Sequence, residues 1–337
     1  MNILSFESSC DETAVAVVRD GREILANTVF SQIDVHKQYG GVVPEIASRY
    51  HIEKISQLTE ECIRRSGLAE EELDAVAATA APGLIGSLLV GLNFAKGYAY
   101  ARALPLIPVH HIRAHVAANY LAFRELEPPF LAMVVSGGHS HIVLVEGYTA
   151  YKILGRTRDD AAGEAFDKGA RVLGLPYPGG VEIDRLAKNG NRTAIRFPQV
   201  HFKDQPYDFS FSGVKTAIVN YVHHAHQKEQ QLDLADVAAS YSEAVTGILA
   251  ENFFRCARDY QQKKLVIAGG VSANSMLREK LLAGKRTDEI LYIPPVSLCG
   301  DNAAMVGAQG YYEFQADHLA SLNQNAYSAW SIEKQLC

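Results

Sequence analysis

Apolar and polar positions follow a recurring order along this chain. It opens on the apolar run NILSF, breaks at the small polar stretch ESSCDE, continues as TAVAVV and, after Asp20-Gly21, resumes as EILANTVF. That order predicts three strands with a hairpin at Asp20-Gly21, where a two-residue turn needs residues tolerant of positive φ. It returns about 125 residues later in LAMVVSGGHSHIVLVEGYTAYKIL: strand, small polar turn, strand, Glu146-Gly147, strand. Helical stretches and further apolar strands such as LDAVAATA and KKLVIAGG follow each copy. Strands alternating with helices predict an α/β chain of two lobes, each with a mixed sheet.

Length and composition agree with two lobes. The chain has 337 residues, 48% hydrophobic and 21% charged, more than one ordinary core accommodates. Gly, Asn, Lys or Pro interrupts every apolar run before a membrane could be spanned. The opening MNILSFESSCDE has no basic flank, so no signal peptide is expected. Five cysteines (Cys10, Cys62, Cys256, Cys299, Cys337) form no CxxC pair, which points to reduced thiols and the cytoplasm. A net charge of −6 argues against coating nucleic acid and leaves only a local basic face, with Arg192, Arg196, Lys280 and Lys285 as contributors.

Candidate chemistry begins at PVHHIRAHVAANYL, which reads as a helix start. His111 and His115 lie four apart, on one helical face, so both imidazoles can reach one ion. Two other histidine groups compete: His139 with His141, and His223 with His224 and His226. Asp301, at the mouth of a helix in VSLCGDNAAMVG, is either an N-cap or a third ligand. Two imidazoles and a carboxylate leave coordination positions open, which suits Fe(II) or catalytic Zn(II). The small-residue turns SSCD, SGGHS and Gly269-Gly270 let backbone N–H groups approach a phosphate, a base or a sugar. Asp160, Glu164 and Asp167 are spaced as a stack of acids on one helical face, which costs stability unless solvent or a ligand offsets it. Gly179-Gly180, with Asp184 behind, is a further close-approach turn.

Taken together, ESSCDET, HKQYGGVVPEIASRYH, APGLIGSLLVG, PVHHIRAH, VSGGHS, DDAAGEAFDK, YPGG, DFSFSGVKT, AGGVSAN and CGDNAAM resemble the bacterial TsaD family. Its members transfer threonylcarbamoyl to tRNA and were formerly described as glycoprotein endopeptidases. The resemblance spans residues 3 to 312. It implies an actin-like ATPase (ASKHA) fold, two ribonuclease-H-like lobes with a cleft between them. The lobes are expected at 1–127 and 128–304, with 305–337 packing back on the first. The implied reaction moves threonylcarbamoyl from L-threonylcarbamoyladenylate to N6 of adenosine 37 in tRNAs that read codons beginning with A, releasing AMP.

The resemblance further implies one divalent metal ion per subunit, Fe2+ or alternatively Zn2+, held by His111, His115 and Asp301. It implies substrate contacts from Val134, Val135, Ser136, Gly137, Gly138, Asp167, Gly180, Asp184 and Asn274, and an adenine nucleotide or threonylcarbamoyladenylate in the cleft. Asp11 and Glu12 match the family's acidic pair, and one of them is expected to accept the N6 proton as the new bond forms. Implied partners are tRNA, a TsaB paralogue on the N-terminal lobe and the TsaE ATPase, with no membrane. Ser8, Gly300 and Ala303 depart from the family pattern without removing an implied ligand. The tail SAWSIEKQLC matches no motif. Three rival readings compete. A zincin protease needs H-E-x-x-H, and Ile112 stands where its base must be. A small-molecule kinase of the same fold needs no His-His-Asp site, and a nucleotide-gated scaffold would survive loss of His111.

Overall fold

The computed structural model describes residues 1–337. They form two compact units. The first comprises Met1–Pro129, Val145–Lys152 and Pro294–Cys337, the second Phe130–Leu144 and Ile153–Ile293. In chain order the first unit holds β1 (Asn2–Glu7), β2 (Glu12–Arg19), β3 (Glu23–Ser31), α1 (Ile33–His36), α2 (Pro44–Ser66), β4 (Ala75–Ala81), α3 (Ile85–Ala101), β5 (Leu106–His110) and α4 (His111–Ala122). The chain continues with β6 (Phe130–Val135), β7 (Ser140–Gly147), β8 (Ala150–Arg156), α5 (Ala162–Val172), α6 (Gly179–Ala187), α7 (Ser212–Gln227), α8 (Leu234–Asp259), β9 (Lys264–Ala268), α9 (Ser275–Gly284) and β10 (Ile290–Tyr292), all in the second unit except Val145–Lys152, which falls in the first. The chain then returns to the first unit as α10 (Ala303–Gln315).

Each unit has one five-stranded sheet, in the orders β3-β2-β1-β4-β5 and β10-β9-β6-β7-β8. Both orders put the first strand at the centre, the next two on one side and the last two on the other, so the repeat seen in the sequence is a repeat of topology. In the first unit β1 pairs antiparallel with β2 and parallel with β4. The Asp20-Gly21 hairpin forms as predicted: both residues have positive φ, 52° and 65°, and Arg22 N–H bonds to Arg19 C=O at 3.1 Å. A side chain at Gly21 would also meet Tyr311 Cδ1 at 2.8 Å. The second turn differs from expectation. β7 runs on through Gly147 and the chain reverses at Tyr148-Thr149, where the Tyr148 ring stacks on Tyr312 at 3.9 Å and receives Arg22 Nη2 on its hydroxyl.

Side-chain alternation along β1 and β4 sorts the first unit into two layers. Leu4 and Phe6 join Val76, Ala78 and Leu88 on the α2–α3 face, whereas Ile3 joins Ala75, Ala77, Met305 and Val306 on the α4–α10 face. Ser5 shares that second face, donating to Ala303 C=O at 2.7 Å. By the same parity Glu7 and Thr79 point toward α4. α10 lies close on the sheet because Gly310 faces Ala77, whose Cβ would be 2.9 Å from an added side-chain carbon. Residues 294–304, expected with the second lobe, belong to the first unit. Leu298 packs into the Ile3 cluster, and Ala303 and Ala304 pack against Ala14, Ala16 and Val18. No helix is long and apolar enough to cross a membrane.

Candidate metal centre

β5 ends at His110, whose Nδ1 accepts the Ile112 N–H at 3.2 Å and so caps α4. His111 and His115 then fall one turn apart, their ring centroids 4.6 Å from each other. Asp301 approaches from the segment entering α10. It is not the helix cap: Asn302 is, its Oδ1 accepting the Met305 N–H at 3.0 Å. Asp301 Oδ1 instead lies 3.1 Å from His115 Nε2 and 3.6 Å from His111 Nε2. The three ligand atoms all lie within 4.8 Å of one another.

This donor set fits a divalent cation. His115 is 1% exposed; its Nδ1 has no hydrogen-bond partner, and its Nε2 meets only the Asp301 carboxylate, an arrangement that leaves ring and carboxylate lone pairs for a cation. Behind His111 sits Glu7, a carboxylate 1% exposed at the end of β1. Its Oε2 lies 3.1 Å from His111 Nδ1 and accepts from Thr79 Oγ1 at 2.7 Å, while Oε1 accepts the Ser9 N–H at 2.6 Å. Ser9 Oγ also lies 3.2 Å from His111 Nδ1. A carboxylate only accepts, so Glu7 places a proton on Nδ1 and leaves the Nε2 lone pair facing Asp301. Burial works against an ionised Glu7, but the adjacent His111 outweighs it and holds the carboxyl below its ordinary value. Burial would likewise lower the His111 pKa, but the Asp301 and Glu7 charges reverse that and push it up to about 9. Cation binding at this ring therefore displaces a proton.

The acidic pair of the first turn lies in the same unit. Asp11 is buried, and its carbonyl accepts the Gln32 N–H at 3.0 Å. Glu12 accepts from Ser31 Oγ at 3.1 Å. Burial, then the charges of Asp11 and Asp301, push the Glu12 carboxyl up to about 10.

The other sequence candidates lie in the second unit. Val134 and Val135 are buried in β6. Ser136 opens the following turn, its N–H bonded to His139 C=O at 2.8 Å, and Gly137 and Gly138 leave open space beside the backbone. Asp167 Oδ1 accepts the N–H groups of Gly179 and Gly180 at 2.8 and 3.3 Å. Asp184 Oδ1 accepts Ser275 N–H and Oγ–H at 2.9 and 2.8 Å. Asn274 caps α9 through Leu277 N–H at 2.9 Å. The expected stack of acids does not form. α5 begins at Ala162, past Asp160, and Asp160 pairs with Lys168 and Lys215, Glu164 with Lys168. Of the competing histidines, His223, His224 and His226 are exposed near the end of α7. His139 and His141, with centroids 5.6 Å apart, join no group of three ligands. Sequence reading missed Glu7, Ser9 and Thr79; the available signal was an acid in phase with the inward-facing Ile3 and Ser5.

Comparison with known proteins identifies the family of the chain. Residues 23–308 match the family described as TsaD, tRNA N6-adenosine threonylcarbamoyltransferase. The chain is 51% identical over 326 residues to the tRNA N6-adenosine threonylcarbamoyltransferase of Clostridium perfringens (strain SM101 / Type A), covering 96% of each chain. It is also 51% identical over 326 residues to that of Moorella thermoacetica, covering 96% of this chain and 95% of the relative. Among solved structures it resembles HypF of T. kodakarensis (TM-score 0.63, 16% identity, 93% of this chain and 48% of that one). It also resembles component A of the Acidaminococcus fermentans (R)-2-hydroxyglutaryl-CoA dehydratase (TM-score 0.54, 14% identity, 93% and 98%). At such identities these two show the fold alone, the two-sheet α/β architecture of the actin-like ATPases. Half the residues are shared over nearly the whole length, and the chain belongs to the tRNA N6-adenosine threonylcarbamoyltransferase (TsaD) family.

Proposed function

We propose that this chain transfers threonylcarbamoyl from L-threonylcarbamoyladenylate to N6 of adenosine 37 in tRNAs reading codons that begin with A. The observation that carries the proposal is the convergence of His111, His115 and Asp301, whose ligand atoms all lie within 4.8 Å of one another, in a chain of this family. In the reaction the bond between the carbamoyl carbon and the phosphate oxygen breaks, AMP leaves with that electron pair, and a C–N6 bond forms as N6 loses a proton. The donor is a mixed anhydride and already activated; the acceptor is poor because its lone pair is delocalised into the ring.

His111, His115 and Asp301 would hold one divalent cation, Fe2+ or alternatively Zn2+, as a two-histidine, one-carboxylate set with open positions suits. When bound, the ion supplies Lewis-acid stabilisation of charge developing on the donor's oxygens. Glu7 orients the His111 ring for that task. Asp11 or Glu12 takes the N6 proton, and the upward shift of the Glu12 carboxyl caused by burial and its acidic neighbours favours Asp11. Gly137 and Gly138 offer backbone N–H groups to an anion, and Ser136, Asp167, Gly180, Asp184 and Asn274, with Val134 and Val135 beneath, shape the adenylate site. Family membership displaces the kinase and scaffold readings.

tRNA is the acceptor, and TsaB and TsaE are the partner proteins, in the cytoplasm. TsaB docks on the first unit, a reading supported by Ile85, Leu89 and Tyr100, which α3 leaves exposed while Leu88, Leu92 and Ala95 face the sheet. The test is transfer of labelled threonylcarbamoyl from the adenylate to unmodified tRNA with both partners present. Chelation should abolish transfer, Fe2+ or Zn2+ should restore it, and Asp301→Ala should be beyond restoration. Full transfer by Asp301→Ala after chelation would overturn the proposal.

A further inference from the structure

The side of α4 opposite the proposed ligands is bound to the last residues of the chain. Arg113, two residues beyond His111, is 2% exposed. A guanidinium has five N–H donors and no acceptor, so burying it demands a full set of acceptors. Nε donates to Ile332 C=O at 2.9 Å, and Nη2 to the carbonyls of Ile332 and Lys334 at 2.7 and 3.1 Å. Nη1 donates to Gln335 Oε1 at 2.8 Å and Glu313 Oε1 at 3.0 Å. Four of these five bonds therefore end on residues 332–335. His110 adds another: its Nδ1 is taken up capping α4, so Nε2 carries the proton and donates to Trp330 C=O at 3.2 Å. The tail is itself fixed, by Trp330 Nε1 on Gln335 C=O at 3.2 Å and by Gln335 Nε2 on Thr149 C=O at 3.1 Å. Glu313 lies on α10, the helix entered just after Asp301.

We infer that residues 330–335 are a positioning clamp for the metal centre. They fix the first turn of α4 from behind, and the Arg113–Glu313 pair sets that turn against α10, so that His111, His115 and Asp301 converge. Ligand sets tolerate displacements of only about 0.2 Å, so a first turn released from the tail loses the geometry before the fold is lost. This inference rests on the metal-centre reading of the proposed function.

The test uses Co2+ as the probe, with affinity read from its visible absorption. The proteins are the full chain, Arg113→Lys, a chain ending at Ala329, and His111→Ala as a control. A lysine keeps the charge beside Glu313 but cannot reproduce the fork of five donors. Arg113→Lys and the shortened chain should each lose about tenfold or more in Co2+ affinity. Their loss of hydrogen-exchange protection should be confined to α4 and to α10, which Arg113 meets at Glu313, a pattern that general destabilisation does not give. A peptide of residues 326–337 should restore Co2+ affinity to the shortened chain. Folded Arg113→Lys and shortened chains that bind Co2+ within twofold of wild type would overturn the clamp alone. If the shortened chain does not fold, Arg113→Lys decides by the same criterion. Undiminished Co2+ binding by His111→Ala would overturn the metal-centre reading, and the clamp with it.

Discussion

Replacing Glu7 with glutamine keeps the volume of the side chain and changes two electrical properties of the site behind His111. As a carboxylate Glu7 only accepts, from Ser9 N–H, Thr79 Oγ and His111 Nδ1–H, which keeps the Nε2 lone pair available. A glutamine whose oxygen stays on Ser9 turns its amide N–H toward Nδ1, and the imidazole proton then moves to Nε2, where a cation must bind. Loss of such an outer partner typically costs about 10- to 100-fold in metal affinity, roughly 1.4–2.8 kcal/mol. The lost charge acts in the opposite sense. His111 titrates at about 9 in the metal-free protein, and because that pKa is raised, protons compete with the cation at every lower pH. Wild-type affinity should therefore climb about tenfold per pH unit from pH 7 and level off above pH 9. Without the Glu7 charge that slope should flatten, while the plateau falls by the factor just given. Zn2+ titrations against a competing chelator between pH 6.5 and 9.5 read both quantities. A Glu7→Gln protein with wild-type slope and wild-type plateau would refute the role of Glu7.

Other consequences are equally direct. Asp11→Asn should lower transfer by about 10²- to 10⁴-fold whereas Glu12→Gln should leave it nearly intact, as single-turnover rates with saturating adenylate would show; the reverse order would make Glu12 the base. In the metal-free protein the raised pKa of Glu12, about 10, means its stabilising effect is complete below the unfolded value near 4.5 and is lost as pH rises toward 10. Urea melts should then show Glu12→Gln gaining stability over wild type at pH 8 but not at pH 4, and equal differences at both would contradict the assignment. Asn302→Ala should cost about 1 kcal/mol of stability through loss of the α10 cap and spare Zn2+ affinity. Asp301→Ala should do the opposite, and isothermal titration with thermal melts separates them.

The sequence made much of this architecture legible where local chemistry decides the outcome. Asp20-Gly21 announces its hairpin because positive φ at both positions is a property of those two residues. Glu146-Gly147 misleads because the turn is set by Tyr148 stacking on Tyr312, a contact 164 positions apart in the chain. The His111–His115 pair is visible as a helical spacing, but the choice of Asp301 as a ligand over a cap depends on Asn302 supplying the cap. The acids Asp160 and Glu164 read as mutually repulsive because Lys215, on another helix, cannot be placed beside Asp160 from spacing alone. Glu7 and the tail are invisible for the same reason: their meaning lies in partners more than 70 residues away, at Thr79, His111 and Arg113.

The central claim, that His111, His115 and Asp301 serve threonylcarbamoyl transfer to tRNA, is tested most directly by mass spectrometry of tRNA nucleosides. Cells depleted of this protein would be rescued with wild type or with Asp301→Ala. Threonylcarbamoyladenosine should vanish on depletion and return only with wild type. Its persistence on depletion, or its full return with Asp301→Ala, would contradict the account.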